Sequence, residues 1–396
     1  MGVYNIAMSI PNTNYNKKDL SLYIHIPFCN SKCNYCAFVS KVGTEEEKLS
    51  YLKDLLAEIK MRAKEYRDYF KIASIYIGGG TPSCMNNFEI RDILACIYKN
   101  FSVKNTAEIT IEINPNVVTK TKVREYILAG INRFSIGLQC TNEKVLKNMG
   151  RTHTVKDFED AVQNLRDQGI SNISADIIIG YPGQTIKDVD ESLKYLISKN
   201  IPHISCYMLQ VEENTKLKAL VDKGVSHIVP EEKLVAMYNN VLNTLRANGY
   251  DRYELSNFAK PGFLCYHNQV YWKRTDYLGF GVSAHSYVSG VRFSNTESIP
   301  EYHRCIQSLN KPPVSAANEL SVDEKKEEFI MLSLRTNNGI DTQAYEVEFG
   351  EKFLPTRKAK VAALIKGGFI ILDQNGVIKA TDKGFLVLNR LIYELI

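Results

Sequence analysis

The chain reads as an α/β protein: a partial (β/α)6, TIM-like barrel followed by a smaller, winged-helix-like α+β module. Three observations lead there. Apolar strands alternate with amphipathic helices from about residue 21 to about residue 255, the pattern of a parallel sheet with helices outside it. Polar and glycine-rich residues gather at the carboxyl ends of those strands, where such folds place their chemistry. Pro312-Pro313 then breaks the pattern, and helices followed by a hairpin take over. A length of 396 residues exceeds what one compact core usually covers. The expected division is a polar tail at 1–20, the barrel with its extension at 21–311, and the C-terminal module at 312–396.

The first strand is the run Leu22-Tyr23-Ile24-His25-Ile26-Pro27-Phe28. Thr44-Glu45-Glu46-Glu47 is a capping box that opens a helix running to about Tyr66. Leu49, Leu52, Leu56 and Ile59 give that helix its apolar stripe. Further strands are expected at 72–77, 108–113, 133–138, 173–179 and 204–209, with a seventh at 250–255. Helices fall between them, near 88–101, from Thr119 to Gly130, and up to Gly169. In the C-terminal module, helices are expected at 320–334, 355–366 and 385–396. A hairpin at 369–378 turns on Asn375-Gly376. No basic cluster marks one face of these helices, so the module is expected to cap the barrel mouth rather than bind nucleic acid.

Composition narrows the function classes. Net charge is +5, from 49 basic and 44 acidic residues dispersed along the chain, too mild for a nucleic-acid or anionic-membrane partner. No run of about eighteen apolar residues predicts a membrane span. The first twenty residues lack the apolar stretch of a signal peptide. Nine cysteines, odd in number and irregular in spacing, suit a reducing cytoplasm rather than a disulfide framework.

Three of those cysteines stand apart. Cys29, Cys33 and Cys36 follow the first strand with gaps of three and then two residues, and position 38 is Phe38 rather than a fourth cysteine. A [4Fe–4S] cluster normally takes four thiolates, so one held by three keeps an iron open to a substrate. The alternative is a structural zinc site formed by the same three cysteines and His25. The spacing, with Tyr35 before the third cysteine, resembles the radical SAM enzymes. In that superfamily the open iron chelates the amino and carboxylate groups of S-adenosyl-L-methionine (SAM). An electron from the cluster then cleaves the sulfonium to a 5′-deoxyadenosyl radical.

The resemblance implies roles for residues along the strand ends. Gly79, Gly80 and Thr81, in Gly78-Gly79-Gly80-Thr81-Pro82, would hold the methionine end of SAM through backbone groups; the plain alternative is a strand-to-helix turn. Glu112 sits in an otherwise apolar strand, where a carboxylate is costly unless paired. It is either a partner for SAM or half of a buried ion pair with Arg133. Gln139, Arg151 and Asp176 match the remaining SAM contacts, and Arg151 is suited to a carboxylate by its bidentate fork. Tyr23 matches another, or is an ordinary strand aromatic.

A second stretch carries a narrower resemblance. It comprises Tyr253-Glu254-Leu255-Ser256-Asn257-Phe258-Ala259, then His267-Asn268-Gln269-Val270-Tyr271-Trp272 with the chain's single Trp, then Tyr277-Leu278-Gly279-Phe280-Gly281. On chemistry alone this is an aromatic corner around a hydrogen-bonded His, or a haem contact, since imidazole ligates haem iron and flat walls suit a porphyrin. The His-Asn-x-x-Tyr-Trp motif resembles the HemW-type haem chaperones, relatives of oxygen-independent coproporphyrinogen III dehydrogenase. That enzyme has a further cysteine where this chain has Phe38. Ala37 stands where many relatives have Asp. The resemblance spans roughly residues 21 to 390. It implies a cytoplasmic protein that binds haem through His267 and Trp272 and passes it to acceptor haemoproteins. It also implies an electron donor such as flavodoxin or ferredoxin. The alternative function is oxidative decarboxylation of coproporphyrinogen III to protoporphyrinogen IX.

Overall fold

The computed structural model describes residues 17–396, so most of the expected tail lies outside the described residues. Six strands lie side by side in chain order: β1 (Lys18–Ile26), β2 (Phe70–Gly79), β3 (Val103–Ile113), β4 (Arg133–Gln139), β5 (Ile173–Ile179) and β6 (His203–Met208). Every neighbouring pair among them is parallel. Helices Glu45–Tyr66, Asn87–Asn100, Lys120–Leu128, Val155–Arg166 and Ile186–Ser198 make the crossovers. This is the partial (β/α)6 barrel.

Local chemistry starts the helices. Thr44 Oγ1 accepts from the Glu47 N–H at 3.2 Å, and the Glu47 carboxylate accepts from the Thr44 N–H at 2.9 Å. Thr154 with Asp157 and Thr185 with Asp188 repeat the same box. Period-two alternation then sorts the strands. One set of side chains (Leu22, Ile24, Ile75, Ile77, Ile111) packs with Leu55 and Ile59 of the first helix in the main core. The other set is polar, and register puts it on one face: Tyr76 lies beside Thr110, Glu112 beside Ser135, and Asp176 beside Ser205.

The sheet continues past both outer strands. Beyond β1 lie Tyr277–Phe280, His285–Val288, Val291–Asn295 and Val314–Glu319. Beyond β6 lie Asn257–Ala259 and Asp251–Arg252. The seventh strand expected at 250–255 is therefore replaced by two short antiparallel pieces. Glu254 explains the reversal: its carboxylate, 1% exposed, accepts from the Ser256 N–H at 3.2 Å and from the Asn257 amide.

A second core gathers Phe329, Leu334, Ile340, Tyr345, Phe353, Ile378 and Leu391. Its helices are Val322–Ser333, Thr342–Phe349, Phe353–Lys366 and Leu388–Leu395, set against a three-stranded sheet. The expected hairpin forms between Ile370–Leu372 and Val377–Ala380. Gly376 takes φ +80° there, and the Asp373 carboxylate accepts from the Asn375 and Val377 N–H groups, both at 2.9 Å. The helix expected at 385–396 is two pieces, Asp382–Phe385 and Leu388–Leu395. Ion pairs tie this core to the barrel through Arg252 with Asp382, Arg274 with Glu348, and Arg292 with Glu328. Those contacts lie away from the barrel mouth, and no residue of 322–396 lines the cavity there. The expected cap over the mouth is thus corrected. No helix among the described residues is long and apolar enough to cross a membrane.

Candidate functional site

The carboxyl ends of β1–β6 open into a cavity of about 360 Å³. Cys29, Cys33, Tyr35, Cys36, Gly79, Gly80, Thr81, Glu112, Gln139, Arg151 and Asp176 all line it. Tyr23, His267 and Trp272 do not.

The cysteine loop is held from several sides. Asn34 donates its N–H to the Met149 carbonyl at 2.9 Å, and its side chain donates to the Asn148 carbonyl at 2.8 Å. The Arg151 guanidinium reaches Cys33 Sγ at 3.6 Å and the Gly137 carbonyl at 3.0 Å, and bonds the Asn114 side chain. Thr81 Oγ1 donates to Cys29 Sγ at 3.6 Å. All three cysteines are free, and burial pushes the Cys29 and Cys36 thiols up. Tyr35 packs edge-on against Tyr181, with centroids 6.3 Å apart.

His25 does not complete a zinc site with the three cysteines. Among the described residues no three His, Cys, Asp or Glu side chains converge tightly enough to hold one metal ion. His25 is occupied at both nitrogens: Nε2 lies 3.0 Å from the Val39 carbonyl, and Nδ1 lies 3.0 Å from the Tyr23 hydroxyl. The carbonyl can only accept, so Nε2 carries the proton and Nδ1 accepts from Tyr23. Burial holds His25 neutral by lowering its pKa.

Two glycines make room beside the loop. A Cβ on Gly80 would lie 2.5 Å from the Phe28 carbonyl oxygen and 3.0 Å from Cys29 Sγ. Gly79 takes φ +113°, and a Cβ there would lie 2.7 Å from the His25 ring. Only glycine fits both positions.

Across the cavity, Glu112 accepts from the Tyr76 hydroxyl at 2.8 Å and from the Gly79 N–H at 3.3 Å. It forms no ion pair with Arg133. Burial and the nearby Asp176 charge raise its pKa to about 7, against the opposing Tyr76 hydrogen bond. Burial also raises Asp176, which accepts from Ser135 Oγ at 3.1 Å. Gln139 has φ +68°, and its buried Oε1 has no hydrogen-bond partner. A non-glycine residue in that region is strained, and an orphaned buried carbonyl asks for a donor. Half-buried carboxylates and an orphan acceptor together suit a cationic, hydroxyl-bearing ligand.

Sequence reasoning missed Asn114, Ser135 and Tyr207, which share this wall. Ser135 was recoverable, because it is inward by the parity that places Glu112 and Asp176.

His267 sits elsewhere. It is 1% exposed, on the helix Tyr266–Trp272 under the opposite end of the strands. Its Nδ1 lies 2.8 Å from Ser74 Oγ, and its Nε2 lies 3.0 Å from the Tyr271 hydroxyl. Glu108 holds the start of that helix, accepting from the Tyr266 and His267 N–H groups at 2.9 and 3.0 Å. Burial lowers the His267 pKa to about 3, so the ring is neutral. Both ring nitrogens are thus hydrogen-bonded within the base of the barrel. Trp272, at the end of the helix, lines a second cavity beside the C-terminal core.

A family model described as the radical SAM superfamily matches residues 23–196, and one described as the HemN C-terminal domain matches residues 320–387. The heme chaperone HemW of Lactococcus lactis is 31% identical, over 96% of this chain and 98% of that protein. The heme chaperone HemW of Bacillus subtilis is 32% identical, over 93% of this chain and 97% of that protein. The chain belongs to the HemW family of radical SAM proteins. Among solved structures, coproporphyrinogen III oxidase (HemN) from Escherichia coli superposes with a TM-score of 0.86 at 23% identity, covering 100% of this chain and 93% of that one. At that identity the likeness speaks for the fold. HemW membership implies a [4Fe–4S] cluster and SAM, and the free cysteine triad, the glycine cradle and the unpartnered Gln139 oxygen fit both.

Proposed function

We propose that the protein is a haem chaperone that binds haem, carries a [4Fe–4S] cluster with SAM, and delivers haem to acceptor haemoproteins. The observation that carries this reading is likeness along nearly the whole chain to curated haem chaperones, at 31–32% identity. In this reading Cys29, Cys33 and Cys36 ligate three irons. Gly79, Gly80 and Thr81 shape the seat of SAM; Glu112, Asp176, Gln139 and Arg151 bind its polar groups. When bound, the cluster supplies an electron to SAM, drawn from a donor such as flavodoxin or ferredoxin. Trp272 contacts haem. His267 reaches iron only if its helix leaves the barrel. A reducing cytoplasm fits nine unpaired cysteines.

The deciding experiment is anaerobic reconstitution of the cluster followed by haem titration, with and without SAM. Stoichiometric haem binding and transfer to an apo-haemoprotein is expected. A second assay supplies coproporphyrinogen III and a reductant. Formation of protoporphyrinogen IX would replace this reading with the dehydrogenase one; Phe38, 68% exposed on the cavity rim in place of a further cysteine, favours its absence.

A further inference from the structure

The cavity beside Trp272 measures about 460 Å³, within the roughly 300–1,000 Å³ of small-molecule sites. The helix Tyr266–Trp272 and the segment 251–262 form one wall, and Phe329, Ser333 and Thr336 of the C-terminal core form the other. Trp272, Tyr253 and Phe329 give it flat apolar surface.

Its charges are unequal. Arg252, Lys260, Lys273 and Arg274 line it against Asp251 and Asp341. Two of the cations are already paired: Arg252 with Asp382 at 3.1 Å, and Arg274 with Glu348 at 2.6 Å. Lys260 and Lys273 have no carboxylate partner among the described residues, and Lys260 lies 5.1 Å from the Tyr250 ring centre. Arg252, 8% exposed, also keeps a buried Nε with no hydrogen-bond partner. Flat apolar walls and two lysines without a carboxylate partner together describe a ligand that is planar, apolar and doubly anionic.

We infer that this interdomain cavity is the seat of haem, with the macrocycle against Trp272 and the two propionates on Lys260 and Lys273. The inference rests on the haem-chaperone reading. It places the cargo at the opposite end of the barrel from the cluster cavity, and it does not use His267. Held by ring and carboxylates, the iron stays free for the ligand of an acceptor protein, as a transferable cargo requires. The C-terminal core supplies one wall of this seat.

The test is titration of the reconstituted full-length protein with ferric haem and with haem dimethyl ester, followed by haem absorbance and by emission of the single Trp. Wild type should bind haem at least about tenfold more tightly than the ester. The Lys260→Glu/Lys273→Glu variant should lose about that factor for haem and nothing further for the ester. Its SAM-induced change in the cluster EPR spectrum should match wild type. Equal binding of ester and haem by wild type, or undiminished haem binding by the variant, overturns the cavity assignment and leaves the chaperone reading intact. Failure of wild type to bind haem at all overturns the chaperone reading itself.

Discussion

At the mouth of the barrel, Glu112 and Asp176 are half-buried without a paired cation, and Gln139 holds a strained backbone and an orphan oxygen. At the base, His267 is buried with a partner on each ring nitrogen, and His203 likewise lies between Ser174 at 2.7 Å and Tyr253 at 2.8 Å. Both base histidines have their partners, whereas the Gln139 oxygen at the mouth has none. Where the chain supplies every partner, a buried polar group is architecture. Where it leaves partners out, the missing ones belong to a ligand, and the fold bears the cost of holding the site open.

The sharpest break of this contrast is at the cysteine loop. Replacing any one of Cys29, Cys33 or Cys36 by Ala should abolish cluster assembly, read as iron and labile sulfide per chain falling to background. Iron retained at the wild-type level in one such variant would remove that residue from the ligand set. The base should not notice: thermal unfolding of the cluster-free protein should stay close to wild type.

Glu112 sharpens the contrast through pH. Its native pKa, raised to about 7, lies above that of an unfolded glutamate. The native state therefore holds a proton that the unfolded state has released between about pH 4.5 and 7. The stabilising contribution is full below that window and lost as pH rises through it, at most about 3 kcal/mol. Glu112→Gln should remove this slope, measured as the pH dependence of the difference in denaturant midpoint from wild type. SAM brings a cationic ammonium, so its affinity should weaken below about pH 7 in wild type and lose that dependence in the variant. Loss of about tenfold or more in SAM affinity at pH 8 is expected.

His267 tests the base with the opposite sign. Its native pKa, lowered to about 3, lies below that of an unfolded histidine, near 6.5. The unfolded state takes up the proton first, so stability is lost as pH falls from about 6.5 toward 3. His267→Gln should cost about 1–3 kcal/mol at pH 7, by leaving Ser74 and Tyr271 short of a partner, and should flatten the acid limb. A variant of unchanged stability but weaker haem binding would instead make His267 a ligand.

How much of this was legible in the chain depends on the range of the interactions. Capping boxes, the cysteine spacing and the Asn375-Gly376 turn are local, and all appear where the residues place them. The strand ends carrying Gly79, Glu112, Gln139 and Asp176 were legible because alternation and topology bring them to one rim. His267 was not, because its partners, Ser74 and Glu108, stand 193 and 159 residues away, and no periodicity tells a motif at the base from one at the mouth. The same distance hid Arg252 with Asp382, and so hid the side of the barrel on which the C-terminal core docks. Glu254 looked like strand because a turn made by one carboxylate has no pattern of its own.

The finest test concerns Tyr76, which touches both regions: its hydroxyl donates to Glu112 at 2.8 Å, and its ring lies 5.1 Å from that of His267. Tyr76→Phe keeps the ring and removes the donor. Glu112 then loses a bond that favours its charged form, so its pKa should rise further. The loss is about 0.5–1.5 kcal/mol, which moves the midpoint of the SAM pH dependence upward by up to about one unit. The acid limb set by His267 should not move, because the ring packing survives. A shift confined to the SAM profile means that the two ends answer to different partners. A matching shift in the acid limb would mean that the hydroxyl at the mouth and the imidazole at the base titrate as one system, and the contrast between a site left open and the satisfied histidines of the base would fail.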